Sequence, residues 1–223
     1  MKIYPEAFEI VKKFNKALQD KEFEGRVADK GINLIFLMSM VANAGDGDHI
    51  EIGTLFRASA IAAALIKKEL GLGGEVYAID PYDEETRSRN VKMMADVPEL
   101  LSGSPQALKK NADLFGVKIK LIQKQSDPWP EELKDNVFVS AYIDGDHLHD
   151  MPYRDFTNLS ERVSDYIGFD NYEEGYPDVL GGVSKILREN EDWVLFYKNA
   201  SFLALRRRLP PRADAEMAPI TAQ

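Results

Sequence analysis

Short apolar segments alternate with helical segments over most of the chain, and this alternation constrains the fold more than any other feature. The clearest apolar segment is VFVSAYID, residues 137–144, which contains no charge before its final aspartate. Such a run is typical of a central parallel strand that is buried on both faces. The alternation predicts an α/β fold, a Rossmann-like three-layer sandwich with a mostly parallel seven-stranded sheet and an antiparallel last strand.

The predicted elements divide the chain into three parts. Helices are expected over residues 5–19, 32–43, 59–70, 105–115, 152–163 and 178–189. Strands are expected over residues 49–54, 75–80, 117–123, 137–144, 164–170, 193–197 and 201–206. We therefore expect an N-terminal helical extension (1–44), a Rossmann-like domain (45–208) and a flexible C-terminal tail (209–223) that contains three prolines.

Composition excludes several classes of protein. The 223 residues include no cysteine, which rules out a disulfide framework, a zinc-thiolate centre and a cysteine nucleophile. The net charge of -9 makes a nucleic-acid partner unexpected, although Arg206, Arg207, Arg208 and Arg212 form one basic run. The apolar stretch 32–42 is too short to span a bilayer, so no membrane partner is expected. Because the first residues lack the apolar region of a signal peptide, we expect a soluble cytoplasmic protein.

Polar or small residues end the predicted strands. They are Glu51 and Gly53, Asp80, Ser126, Asp144, and Asp170 with Asn171. The carboxyl ends of parallel strands meet at one edge of a sheet, and ligands of doubly wound sheets bind outside that edge. The sequence therefore predicts the functional site at the carboxyl edge.

The loop from Glu51 to Ser59, EIGTLFRAS, joins the first strand to a helix. Gly53 allows the backbone to approach a ligand, and the helix N-terminus offers free N–H groups. Asp80, at the end of the second strand, is placed to bond ribose hydroxyls. Together these features favour a cofactor that contains a nucleoside. The absence of a G-x-G-x-x-G loop disfavours the alternative of a nicotinamide-dependent oxidoreductase.

Asp144, Asp170 and Asn171 supply three oxygen donors at neighbouring strand ends. Two carboxylates with an amide oxygen suit Mg²⁺, which fills its other positions with water and substrate oxygens. Structural roles are the alternative: Asp144 as a helix cap, and Asp170-Asn171 as an Asx turn before Tyr172.

Three motifs together resemble a known family. They are HIEIGTLFRAS (49–59), VYAIDPY (76–82) and YIDGDH (142–147). The combination resembles class I S-adenosylmethionine-dependent methyltransferases, in the small-molecule O-methyltransferase branch that carries a VEIGT…GGS loop, an AIDPY strand and an IDGDH strand. The resemblance covers residues from about 32 to 206. It implies methyl transfer from S-adenosylmethionine to a hydroxyl of a small-molecule acceptor, and it allows a homodimer through the N-terminal helices.

The resemblance also implies which residues contact the cofactor. Those expected to do so are Glu51, Gly53, Thr54, Ser59, Asp80, Ser126 and Asp144. Glu51, Gly53 and Ser59 would line the methionine and ribose side. Asp80 would hold the ribose hydroxyls, and Ser126 would lie near the adenine.

Metal-dependent catechol- and caffeoyl-type O-methyltransferases use an Asp…Asp-Asn trio, which matches Asp144, Asp170 and Asn171. The resemblance makes Asp144 a catalytic residue and places the general base three residues later, at His147. A neutral imidazole takes a proton readily near pH 7. The alternatives are a solvent-facing His147, a metal-binding His147, or His149 as a metal ligand.

The sequence departs from the resemblance at Arg57-Ala58, where relatives carry Gly-Gly. Arg57 would either crowd the carboxyl end of the cofactor or pair with its carboxylate. This departure favours an alternative interpretation, a methyltransferase fold retained as a non-catalytic binding protein. Residues 82–104 are predicted to form either a substrate lid or an extra surface helix.

Overall fold

The computed structural model describes residues 1–24, 31–54, 58–83, 104–199 and 201–208. Its α-helices are α1 (Pro5–Gln19), α2 (Ile32–Ala44), α3 (Ala58–Leu70), α4 (Pro105–Phe115), α5 (Met151–Ser160) and α6 (Pro177–Glu189). Its strands are β1 (His49–Ile52), β2 (Val76–Ile79), β3 (Lys120–Ile122), β4 (Phe138–Ile143), β5 (Val163–Phe169), β6 (Trp193–Asn199) and β7 (Phe202–Arg207). A 3₁₀ turn covers Glu131–Leu133.

The strands form one seven-stranded sheet in the order β3-β2-β1-β4-β5-β7-β6. Strands β1 to β5 pair in parallel, and β7 pairs antiparallel with both β5 and β6. The predicted Rossmann-like α/β fold is confirmed. The strand order changes direction between β1 and β4, so the cleft typical of doubly wound sheets lies at the carboxyl ends of these two strands.

Strand register brings three chain segments to the same edge. Ile52, the last residue of β1, pairs with Ile79 of β2 on one side and Ile143 of β4 on the other. The residues that follow, Gly53, Asp80 and Asp144, therefore leave the sheet side by side.

Two apolar clusters pack against the sheet. The first includes Phe14 of α1, Leu37 of α2 and Ile61 of α3, and the second includes Phe156 of α5 and Ile186 of α6. Neighbouring residues of one strand belong to different clusters, as expected when side chains alternate between the faces of a sheet. Helices α1 and α2 thus share a core with α3, while the domain division at residue 44 stays a prediction.

Strand β3 is shorter than the predicted 117–123. It is one of the two edge strands, and it pairs only with β2, which itself has four residues. The length of this one partner limits the ladder that β3 can form.

Arg57, most of the predicted lid (residues 84–103) and the tail (209–223) lie outside the described residues. Within the described ranges, no helix combines the length and the apolar character needed to cross a bilayer.

Candidate functional site

The ends of β1 and β4 are in direct backbone contact. Gly53 has φ +84°, and a Cβ at this position would lie 2.1 Å from the carbonyl oxygen of Asp144. The Gly53 N–H donates to Ile79 O at 2.8 Å, and the Asp144 N–H donates to Ile52 O at 2.8 Å. Only glycine combines this backbone conformation with this lack of space. The predicted cofactor loop and the predicted metal-binding aspartate are therefore brought together.

Asp80 organises the two loops beside it. One carboxylate oxygen accepts from the Thr54 N–H at 2.9 Å, and the other accepts from the Tyr82 N–H at 2.8 Å. Asp80 therefore ties the backbone after β1 to the backbone after β2 at the carboxyl edge of the sheet.

Glu51 is a fully buried acid in the centre of the sheet. The Ser59 hydroxyl donates to its Oε1 at 2.7 Å, whereas its Oε2 has no hydrogen-bond partner within the described part of the chain. Burial raises the pKa of Glu51 well above its ordinary value; the Ser59 bond opposes the rise, and the charges of Asp144, Asp80 and Asp170 add to it. An ionised Glu51 therefore requires a nearby cation.

Asp170 is held by a helix from the other end of the sequence. Its Oδ1 accepts from Asn33 Nδ2 of α2 at 2.7 Å, and Asn33 Nδ2 also donates to the Ser201 hydroxyl at 2.8 Å. Burial raises the pKa of Asp170 to about 7, with the charge of Asp144 adding to the rise. Asn171, which follows Asp170, has φ 55°.

Asp144 and His147 form an ion-pair contact, with Nε2 of the imidazole 3.4 Å from Oδ1 of the carboxylate. Burial lowers the pKa of His147, but the contact with Asp144 and the charges of Asp144, Asp170 and Asp146 outweigh the effect of burial, so the pKa is raised. Burial raises the pKa of Asp144, and His147 opposes that rise. The His147 ring also lies 5.2 Å from the Tyr176 ring, between centroids. The structure thus places the predicted base beside the predicted metal ligand.

Ser126 lies at the same edge, in the loop after β3. Its hydroxyl donates to Asp155 Oδ1 at 2.6 Å, and its carbonyl oxygen accepts from Asn158 Nδ2 at 2.9 Å. Both partners belong to α5, so this helix fixes the loop where the adenine is expected.

The other two histidines lie elsewhere. His49 is fully buried at the start of β1, with Nδ1 2.8 Å from Ser140 Oγ, and burial lowers its pKa to about 3. His149 is exposed, and its backbone N–H donates to Asp178 Oδ2 at 2.7 Å. Among the described residues, no group of three or more histidine or acidic side chains is arranged to hold a metal ion. The candidate donor set consists of two carboxylates and the Asn171 amide.

Sequence reasoning did not single out Asn33, Tyr142 or Asp155. Burial raises the pKa of the Tyr142 hydroxyl well above its ordinary value, and the charges of Asp170, Asp144 and Glu51 add to the rise, so it stays a neutral donor. A signal existed for Asn33, because an amide near the start of the apolar segment INLIFLMSMVA needs a buried partner.

Comparison with solved structures shows the same fold in methyltransferases. The O-methyltransferase NovP is 17% identical, with a TM-score of 0.59 and 78% of each chain covered. The O-methyltransferase from Bacillus cereus, in complex with SAH, is 16% identical, with a TM-score of 0.54 and 92% of each chain covered. CalS11, a TDP-rhamnose 3'-O-methyltransferase of calicheamicin biosynthesis, is 16% identical, with a TM-score of 0.58, 92% of this chain and 96% of that chain covered.

No family model matches the sequence, and no curated protein shows significant similarity to it. At identities this low, the structural likeness establishes a shared fold. The chain therefore has the Rossmann-like fold of class I methyltransferases, with an acidic cluster at the carboxyl edge of its sheet.

Proposed function

We propose that this chain transfers a methyl group from S-adenosylmethionine to a hydroxyl of a small molecule, with assistance from a divalent cation. One observation carries the proposal: four carboxyl groups share one edge of the sheet. The charges of Asp80, Asp144 and Asp170 lie close enough to Glu51 to raise its pKa. Such a cluster favours positively charged ligands. The sulfonium and ammonium groups of the cofactor and a divalent cation are ligands of this kind.

The residues present fit the cofactor. The buried, unpartnered Oε2 of Glu51 is an acceptor for a cationic N–H group. Asp80, at the end of β2, would accept from the ribose hydroxyls, as the resemblance implies. At Gly53, a backbone with no side chain can approach the ligand closely.

The residues present also fit a divalent cation. Asp144, Asp170 and Asn171 would hold it, and two carboxylates with one amide oxygen suit Mg²⁺. Burial is the main cause of the raised pKa values of Asp144 and Asp170, and a bound cation would favour the ionised form of both carboxyls. When bound, the cation orients the acceptor hydroxyl and increases its acidity.

The chain's own residues would supply alignment and proton transfer. S-adenosylmethionine, when bound, would supply the methyl group, and the imidazole of His147 would take the proton of the acceptor hydroxyl. Asp144, with Oδ1 3.4 Å from His147 Nε2, would stabilise the resulting imidazolium. Alignment of donor and acceptor provides much of the remaining rate enhancement.

The fold likeness to proteins named as O-methyltransferases supports an oxygen acceptor. The tyrosines beside the site, Tyr172 and Tyr176, support an acceptor with an aromatic or sugar ring. A cytoplasmic homodimer without nucleic-acid or membrane partners stays part of the proposal.

Isothermal titration with S-adenosylhomocysteine, with and without Mg²⁺, tests the proposal. We expect micromolar binding, weakened about tenfold or more in Asp80→Asn, because a buried hydrogen bond to a charged group contributes about 1.5–3 kcal/mol. Mg²⁺ should increase the affinity for a catechol in the binary complex, and Asp144→Asn and Asp170→Asn should abolish that increase. Asp165→Asn is the matched control, since it changes the same residue type near the other end of β5.

Absence of binding at millimolar S-adenosylhomocysteine would contradict the proposal and support the non-catalytic alternative. Binding that is insensitive to Mg²⁺ in every variant would contradict the metal-dependent part alone.

A further inference from the structure

Asp155 of α5 is a buried carboxyl beneath two loops of the carboxyl edge. Its Oδ1 accepts from the Ser126 hydroxyl, in the loop after β3. A Cβ at Gly145, in the loop after β4, would lie 3.2 Å from Asp155 Oδ2. This Oδ2 is itself buried and has no hydrogen-bond partner within the described residues. Asp155 therefore bonds the loop after β3, where the adenine is expected, and lies close to the loop after β4.

Helix α5 holds the loop after β3 through further contacts. Asn158 Nδ2 donates to the carbonyl oxygen of Ser126 at 2.9 Å, and Arg154 Nη1 lies 3.1 Å from Asp127 Oδ2. Burial raises the pKa of Asp155 to about 7, so keeping a carboxyl here has a cost that an apolar side chain would avoid. Buried acids of this kind are concentrated at functional sites.

The contact with Asp155 fixes the direction of the Ser126 hydroxyl. A serine hydroxyl has one proton and two lone pairs. Because the proton is donated to Asp155 Oδ1, only the lone pairs remain for another partner. This direction holds for ionised Asp155 and for the acid protonated on Oδ2, because Oδ1 is the acceptor in both forms.

We infer that Asp155 is a positioning residue that makes the site select a 6-aminopurine over a 6-oxopurine, by fixing the Ser126 hydroxyl as an acceptor. The inference rests on the proposed function, whose cofactor contains adenine, and on the expectation from the resemblance that this adenine lies near Ser126. The exocyclic amine of adenine donates to such an acceptor. The oxygen of a 6-oxopurine instead meets a second acceptor with no proton between them, which is unfavourable.

The test compares the affinities of S-adenosylhomocysteine and its deaminated analogue, S-inosylhomocysteine, by isothermal titration. We expect the wild-type protein to prefer the adenosyl compound about tenfold or more, as one mismatched buried hydrogen-bonding group predicts. Ser126→Ala and Asp155→Ala should each reduce the preference to about threefold or less. Asp155→Asn keeps an oxygen that can accept from Ser126, so it should retain the wild-type preference.

Asn158→Ala is the matched control, because it releases the backbone of Ser126 and leaves the hydroxyl–Asp155 contact in place. It should weaken the two ligands by the same factor. Thermal melting reports whether each variant folds, and Ser126→Ala decides the question if Asp155→Ala is unfolded.

Each outcome has a distinct meaning. If the wild-type protein binds the two compounds with equal affinity, this inference is overturned while the proposed function stands. The same holds if folded Asp155→Ala or Ser126→Ala keeps the full preference for the adenosyl compound. Failure of the wild-type protein to bind S-adenosylhomocysteine overturns the proposed function and this inference together.

Discussion

The side-chain nitrogen of Asn33 lies 2.7 Å from a carboxylate oxygen of Asp170, across 137 positions of sequence. This hydrogen bond joins α2 to the carboxyl edge of the sheet. The same nitrogen donates to Ser201, which follows β6. Helix α2 thus takes part in positioning a candidate metal ligand, in addition to covering the core.

Asn33→Asp should destabilise the fold by about 3 kcal/mol at pH 8, because it replaces a hydrogen-bond donor with a second carboxylate beside Asp170. Two carboxyls that repel each other in the folded state have raised pKa values. The Asn33→Asp variant should therefore be most stable at low pH and should lose stability as pH rises through those pKa values. Urea unfolding at pH 5 and pH 8 measures the difference. Asn43→Asp, near the other end of α2, should show less dependence on pH; equal behaviour of the two variants would contradict the prediction.

Gly53→Ala should cost more than about 3 kcal/mol of unfolding free energy, since the new Cβ meets a backbone oxygen 2.1 Å away that has no room to move. Gly71→Ala is the control: its φ of +66° is similar, but its Cβ would enter open space. The control should cost about 1–2 kcal/mol, the price of the left-handed backbone alone. Similar losses in the two variants would show that the contact with Asp144 is unimportant for stability.

Asp155→Asn should become increasingly stabilising relative to wild type as pH rises from 4 to 8. Burial raises the pKa of Asp155 from 3.8 to about 7. The contribution of Asp155 to the free energy of unfolding is therefore fully present below pH 3.8, its pKa in the unfolded chain, and is lost as pH rises through about 7, its pKa in the folded protein. The relative gain should be on the order of 4 kcal/mol. Chemical unfolding across this range measures it, and the exposed Asp135→Asn should change the profile by less than about 0.5 kcal/mol.

His147 should titrate with a pKa above the ordinary 6.5, and Asp144→Asn should lower that pKa, because Asp144 supplies the close contact and the largest charge that favour the imidazolium. NMR titration of the imidazole resonances measures both values, with His147→Gln providing the assignment. An unchanged pKa in Asp144→Asn would show that the 3.4 Å contact does not persist in solution.

The order of helices and strands could be predicted from the sequence because it depends on local patterns. The stripe of Phe8, Val11, Phe14 and Leu18 predicts a helix over 5–19, and α1 spans Pro5–Gln19. The apolar run before Asp144 predicts a buried strand, and β4 spans Phe138–Ile143.

The partners of the site residues could not be predicted in this way. The contacts of Asp170 with Asn33 and of Ser126 with Asp155 join residues 137 and 29 positions apart, so they depend on how α2 and α5 pack. Nor does a short strand reveal that Glu51 is fully buried, since one glutamate among apolar neighbours is equally consistent with a solvent-facing position.

The backbone contact between Gly53 and Asp144 limits how this site can be re-engineered. No side chain separates the cofactor loop from the end of β4, so a substitution that displaces one segment also displaces the other. Under the proposed function, we expect variation in acceptor choice to arise in the residues around Tyr172 and Tyr176. A library that randomises those residues and keeps Gly53 should therefore retain cofactor affinity while it diversifies acceptor choice.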